Sequence, residues 1–108
     1  MQNAKEKVVM NCMYDGCSTN KNGITTLKFS FPASEIGNYI NVVKFLNVDV
    51  KALIDVGGVK AKIGVCRVKN LRINREGDAV LQLETMELDF NALLDSFEKN
   101  IRLALVGQ

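Results

Sequence analysis

Few side chains in this chain could do covalent or metal chemistry. The absence of histidine removes Ser-His-Asp and Cys-His catalysis, together with the commonest metal ligand. Cys12 and Cys17 could join Cys66 and an acid around zinc, but three thiols so spaced are more typical of core or loop positions. Cys17 stands in a polar stretch and is the thiol we expect to react most readily. The residues therefore predict no catalytic group, no metal and no cofactor, and we expect a protein that is not an enzyme.

Charge is segregated between two adjacent stretches of the chain. Residues 57–75 carry six basic side chains and no acid, whereas residues 76–98 carry seven acids and no base. The net charge of the whole chain is only +2, which does not by itself indicate a nucleic-acid partner. The local separation of charge is therefore more specific than the total.

Alternating apolar and polar residues predict the strands that position these charges. A period of two over several residues is typical of strands with one buried face. Glycine-containing turns at 57–58 and 75–77 separate three of these segments. The predicted strands are Lys7–Tyr14, Ile24–Phe31, Val48–Val56, Val59–Asn74, Asp78–Leu88 and Ile101–Val106.

Two other segments have apolar residues at helical spacing. Ser34 is predicted to cap a first helix, and Asp89 a second helix over Phe90–Lys99. The apolar stripe of the first comprises Ile36, Tyr39, Ile40, Val43 and Leu46. We therefore predict an α+β fold with residues 1–108 in a single domain. It would contain a mostly antiparallel sheet of about six strands (β-β-α-β-β-β-α-β), two helices and a long hairpin of the fourth and fifth strands.

The register of the long hairpin follows from its turn. Counting back from Gly77, with a bulge near Asn70, sets apolar residues of the two arms opposite one another. The predicted pairs are Leu71–Leu81, Ile73–Ala79, Val68–Leu83 and Arg67–Glu84. The turn at 57–58 similarly predicts the pairs Val56–Val59, Ile54–Ala61, Ala52–Ile63 and Val50–Val65. In both arms of the hairpin the apolar residues change face at the same height. This predicts a sheet covered on one face at its base and on the other at its tip.

The tip of the predicted hairpin needs a cover for its apolar face. The C-terminal helix, the first hairpin or another molecule could supply it. If another molecule does, the distal half of the hairpin is a partner-binding surface. The candidate residues are Arg67, Val68, Lys69, Leu71, Arg72, Ile73, Arg75, Leu81 and Leu83. On the simpler interpretation, the charges only fix strand register through cross-strand pairs. On the sharper one, Lys69, Arg72 and Arg75 protrude unpaired and contact an acidic partner.

These features predict a non-catalytic protein-binding module that acts by occluding a surface of its partner. In size and character the chain is similar to phage-encoded inhibitors of host defence, such as anti-CRISPR proteins, although no motif places it among them. The protein partner could belong to a nucleic-acid-processing complex. A homodimer, formed through the hairpin edge or the strand Ile101–Val106, is also compatible with the pattern.

The alternative is a nucleic-acid accessory protein that uses the basic arm of the hairpin. The adjacent acidic arm disfavours it, because it would neutralise the phosphate-binding charge. Phe29 and Phe31 alternate on a strand as base-stacking residues can, but phenylalanines so placed are more often core.

A cytoplasmic location is the expected one. Residues 1–7 lack the apolar segment of a signal peptide, and no apolar run is long enough to cross a membrane. Three cysteines are an odd number, which argues against a disulfide framework.

Overall fold

The strands of this chain close into a barrel. The computed structural model describes residues 7–56, 59–86 and 100–107. All strand pairs are antiparallel, in the order β1-β2-β5-β4-β3-β6, and β6 pairs with β1 to complete the circle. The elements are β1 (Lys7–Thr19), β2 (Thr25–Pro32), α1 (Ile36–Val43), β3 (Asp49–Val56), β4 (Val59–Ile73), β5 (Asp78–Thr85) and β6 (Asn100–Gly107).

The predicted α+β fold with two helices is therefore wrong. Antiparallel strands form close to the expected segments, but β1 and β6 pair from Lys7 to Met13, so the sheet closes on itself. A closed sheet buries its inner face without a layer of helices. The structure is a closed six-stranded antiparallel barrel with one short helix in the described part of the chain. The second predicted helix, Phe90–Lys99, lies outside the described residues.

The predicted long hairpin is part of the barrel wall and does not project from it. β4 and β5 pair with each other, but β3 flanks β4 and β2 flanks β5. β6 is likewise paired on both sides, with β1 and with β3. β5 and β6 are thus paired on both edges, whereas β3 pairs with β4 only as far as Arg67. The homodimer stays a prediction.

Side chains at every second position along the strands fill the barrel interior. In β1, β2 and β5 buried positions alternate with exposed or half-buried ones over successive residues. Successive strand side chains point to opposite faces, so one set packs inside and the other faces solvent. The largest fully buried side chains are Phe29, Phe31, Leu27, Ile54, Ile63, Leu81, Leu83, Leu103, Leu105, Val42 and Val50.

A first β-bulge in β4 shifts its inward residues from odd to even numbers. Ile63 is the extra residue, because Lys62 and Gly64 pair with consecutive residues of β3. Both Ile63 and Cys66 are therefore buried, although they differ in parity. The pairs Val56–Val59 and Ile54–Ala61 are confirmed, whereas Ala52–Ile63 and Val50–Val65 are wrong by one residue.

A second bulge in β4 lies between Val68 and Asn70, where the sequence predicts one. All four predicted pairs of the β4–β5 hairpin are confirmed: Leu71–Leu81, Ile73–Ala79, Val68–Leu83 and Arg67–Glu84. In β4 the predicted change of covered face is wrong, because Ile63, Cys66 and Val68 are all buried in the same core and the bulges only shift the phase of the strand. In β5 the buried positions from Ala79 to Thr85 lie on one face, and the residues after Met86, on which the predicted change in this arm depends, lie outside the described residues.

The helix α1 connects β2 to β3 and is attached to the β4–β5 hairpin at both of its flanks. Before the helix, the Ala33 amide donates a hydrogen bond to the Gly77 carbonyl at 2.9 Å. After it, the Asn47 amide donates to the Val68 carbonyl at 2.7 Å, and the Val68 amide donates to Val48 at 3.4 Å. Backbone hydrogen bonds at both flanks therefore fix the position of α1 against the barrel. In the described part of the chain, no helix has the length and apolar character needed to span a membrane.

Candidate partner-binding surface

The apolar residues of the predicted partner site lie mostly inside the barrel. Val68, Leu81 and Leu83 are fully buried, and Leu71 is half-buried and packs against the core. Only Ile73 is largely exposed, at 54%. The inner face of β5 is covered by the other core side chains inside the closed barrel, among them Leu27 and Phe29 of β2. The first hairpin, which was one of the three predicted covers, thus takes part in burying these residues.

The basic residues of the predicted site are all exposed. Arg67 donates a hydrogen bond from Nε to Oδ1 of Asp49 on β3 at 2.9 Å. This hydrogen bond and the charge of Asp49 raise the pKa of Arg67, and the charge of Glu84 adds to the effect. Arg67 therefore pairs in register with Glu84 but forms its ion pair on the opposite side, with β3.

The other bases have no acid opposite them in the ladder. Arg72 pairs in register with Val80, and Lys69 is the extra residue of the second bulge. Arg75 lies in the turn between β4 and β5. The simpler interpretation, that the charges fix strand register through cross-strand pairs, thus explains the position of Arg67 but not the positions of Lys69 and Arg72.

The outer face of α1 is an exposed apolar surface that the sequence analysis did not identify. Ile36, Ile40 and Val43 lie at spacings of four and three residues, which places them on one side of a helix. They are 62%, 53% and 42% exposed. The opposite side of the helix holds Val42, which is fully buried in the core. The helix is therefore apolar on two sides, and only one of them packs against the barrel.

This apolar surface continues past the helix to the edge of β4. Leu46 and Val48 are each about two-fifths exposed, at 39% and 43%, and they flank Asn47, whose φ of 63° turns the chain. Leu46 forms an isolated bridge with Val68. We refer to the exposed apolar residues Ile36, Ile40, Val43, Leu46 and Val48 as the α1 surface.

The predicted apolar stripe of the helix combined residues from both sides. Tyr39 packs against the core while Ile36 and Ile40 face solvent, so they do not form one stripe. Ser34 does not cap the helix; Glu35 occupies the N-cap position without a side-chain cap. The signal that could have revealed an outer face is the run Ile40-Asn41-Val42-Val43, whose apolar residues cannot all point the same way.

A pocket of about 710 Å³ lies near the start of α1. Its charged lining residues are Glu35, Asp55, Asp78 and Arg102, and Cys12 contributes to its wall. Burial, with a smaller contribution from Asp15, raises the pKa of Cys12 to about 12. Its thiol is therefore protonated at neutral pH and does not serve as a nucleophile there.

The three cysteines do not converge on one site. Cys12 and Cys66 are buried, Cys17 is half-exposed, and all three are free. Over residues 7–56, 59–86 and 100–107, no three Cys, Asp or Glu side chains form a group that could hold a metal ion. No protein-family model matches the chain, and no curated protein matches it either.

Proposed function

We propose that this protein is a non-catalytic protein-binding module that uses the α1 surface to occlude part of a partner protein. The observation that supports the proposal is a short helix held by backbone bonds at both flanks, with its outward side apolar and exposed. A helix that is apolar on two sides is normally buried on both. Apolar residues grouped in this way mark interaction sites more often than scattered exposed side chains do.

The size of this surface indicates what the rest of the interface must supply. Burying the exposed parts of its five side chains corresponds to roughly 5 kcal/mol of transfer free energy. A micromolar complex needs about 8 kcal/mol, after the costs of association have been met. The apolar centre is therefore insufficient alone, and polar contacts at its rim must contribute. The exposed base Lys44 lies between Val43 and Leu46 in the segment of the α1 surface, and it suits an acidic rim on the partner.

Fixed geometry favours binding through this helix. The hydrogen bonds from Ala33 to Gly77 and from Asn47 to Val68 already hold its position in the free protein. Little backbone entropy then remains to be lost when a partner docks. On this proposal the bound protein inhibits its partner by covering a functional surface. Phage inhibitors of similar size and character suggest this mode of action. The proposal also includes a cytoplasmic location, with which three free thiols agree.

The test compares wild type with two charge-introducing variants. Ile40→Asp places a carboxylate at the centre of the α1 surface, where the side chain is 53% exposed and the fold should tolerate it. Met86→Asp makes the same kind of change elsewhere on the surface. Met86 is 72% exposed and lies just beyond Thr85, at the end of β5 that is far from Gly77. Each purified variant is used to capture proteins from a native host lysate, with and without nuclease treatment. The captured protein is then titrated against each variant by calorimetry.

We expect Ile40→Asp to lose the captured protein and Met86→Asp to retain it, with or without nuclease. Equal retention by both variants would exclude the α1 surface as the binding site. Light scattering on the protein alone addresses a second copy as the occupant. A dimer that dissociates in Ile40→Asp would replace the proposed partner with this chain itself, whereas a monomer removes that alternative.

A further inference from the structure

The outer face of the sheet formed by β2, β5 and β4 is basic. Lys28 is exposed on β2, and Arg67, Lys69 and Arg72 are exposed on β4. Between them lies β5, whose outward residues Asp78, Val80, Gln82 and Glu84 are half-buried. Neighbouring strands are about 4.8 Å apart, so the bases stand in two rows roughly 10 Å apart across β5. We refer to Lys28, Arg67, Lys69 and Arg72 as the basic face.

Two acids lie on the same face as these bases. Of the seven acids in residues 76–98, the described ladder places Asp78 and Glu84 on the outward side of β5, at its two ends. Asp78 also lines the pocket near α1, and Glu76 lies in the turn between β4 and β5. Residues 87–98, with the remaining four acids, lie outside the described part of the chain. Within the described ladder, neither Lys69 nor Arg72 stands directly opposite an acid.

Three of the four bases have charges without a described counterion. Asp49 holds Arg67, and Asp15 lies in the β1 bulge that borders Lys28. Within the described residues, no carboxylate oxygen lies within 4.0 Å of the charged nitrogens of Lys28, Lys69 or Arg72. As far as the described residues go, these three charges can therefore meet an anionic ligand without first breaking an ion pair.

The neutral residues of this face indicate the kind of anion. Thr26, Ser30, Asn70 and Gln82 lie among the bases, and their hydroxyl and amide groups can donate hydrogen bonds to phosphate and sugar oxygens. Aromatic anchors typical of protein interfaces are absent from this described face. Phe29 and Phe31, which could have stacked on nucleobases, are buried in the core. The basic face thus suits contacts to a sugar-phosphate backbone and does not suit sequence-specific contacts to nucleobases.

We propose that the basic face binds the phosphate backbone of a nucleic acid, with one strand running along β5 between Lys28 on one side and Lys69 and Arg72 on the other. Binding is independent of sequence, because the contacts reach phosphate and sugar only. Glu84 at one end of this path and Asp78 at the other oppose binding, so the strand is held along the middle of β5. The basic face and the α1 surface are made of different residues, so the two proposals can fail separately.

The salt dependence expected from three free bases is specific. For a single strand the slope of log K against log salt is about −0.7 for each phosphate neutralised, which gives about −2 here. Raising the salt from about 50 to about 200 mM should then weaken binding roughly 20-fold. Replacing two of the bases should reduce the slope by about 1.4.

The experiment titrates labelled oligothymidylate of about 16 nucleotides, and a duplex of the same length, at these two salt concentrations. The double variant Lys69→Gln/Arg72→Gln should weaken binding and flatten the salt dependence. Glu84→Gln should strengthen binding, by about fivefold if the lost repulsion is that of two charges near 4 Å in water. Lys62→Gln is the matched control, because Lys62 is exposed on the same strand but near its other end. Ile40→Asp should bind like wild type.

Absence of binding to either oligonucleotide at low salt would overturn the proposal. Equal losses in Lys62→Gln and in the double variant would also overturn it, since they would indicate diffuse attraction without a site. Polyglutamate of matched charge tests the acidic protein as the alternative. If polyglutamate binds and the oligonucleotides do not, the face recognises acidic protein and the proposal is wrong. Circular dichroism of each variant confirms that the barrel is intact.

Discussion

Ionisation of Cys12 should make the barrel less stable in alkaline solution. Burial raises the pKa of this thiol from its ordinary value of 9.0 to about 12. In the unfolded chain the thiol loses its proton near pH 9, while in the folded barrel it keeps it. The folded state therefore binds more protons than the unfolded state between about pH 9 and 12. The free energy of unfolding must fall as pH rises through that interval.

The size of the effect follows from the two pKa values. At about pH 10 the unfolded thiol is mostly ionised and the folded thiol is not, which removes about 1.4 kcal/mol of stability relative to pH 8. The pH dependence of wild type alone also contains contributions from its other ionisable groups. The measurement must therefore compare wild type with a variant that differs only in the thiol.

Urea unfolding of wild type and Cys12→Ala at about pH 8 and about pH 10 provides this comparison. Truncation should cost roughly 1 kcal/mol at the lower pH, as loss of one buried heavy atom does. At the higher pH the advantage of wild type should fall by about 1.4 kcal/mol and change sign, which leaves Cys12→Ala more stable by about 0.4 kcal/mol. Val8→Ala is the control, because Val8 is equally buried on the same face of β1 and has no titrating group. A Cys12→Ala difference that stays constant with pH, as that of Val8→Ala should, would refute the reasoning.

Three further predictions concern other parts of the barrel. Gly77→Ala should lower the free energy of unfolding by about 1 kcal/mol, since φ is +86° at this residue. Gly37→Ala in α1 should raise it by up to about 1 kcal/mol, because alanine favours a helix more than glycine does and its Cβ would meet no atom within 4 Å. Chemical denaturation measures both changes. Thr85→Val should cost about 1 kcal/mol in the same assay, because the buried hydroxyl donates a 2.9 Å hydrogen bond to the Val65 carbonyl. Alkylation of the native protein, followed by mass spectrometry, should modify Cys17 alone, and all three thiols only after unfolding.

The register of the β4–β5 hairpin could be predicted from the sequence because it depends on neighbouring residues. The turn at Gly77 and the bulge near Asn70 determine every pair out to Arg67 and Glu84. Closure of the barrel depends on pairs such as Lys7 with Val106, which lie far apart in the chain. Alternation shows that a face is buried, but it does not show whether a helix or the rest of the same sheet covers it. That ambiguity produced the wrong fold class.

The candidate binding residues could be predicted only in part, for a similar reason. The bases Lys69 and Arg72 are exposed as expected, because charged side chains rarely enter a core. Leu81 and Leu83 entered the predicted site only because the sheet was thought to be open. The outer face of α1 was missed because Ile36 and Ile40 were counted as core, although an eight-residue helix can pack only one side against a barrel.

The position of β6 has a consequence for how the protein is made. β6 is the last described strand in the chain, yet it pairs with the first strand and with β3. While the ribosome is still adding residues before Asn100, β1 and β3 each have a row of unpaired backbone donors and acceptors. Folding therefore cannot be completed progressively during translation. The nascent chain remains open to pairing with other nascent chains until β6 has left the ribosome.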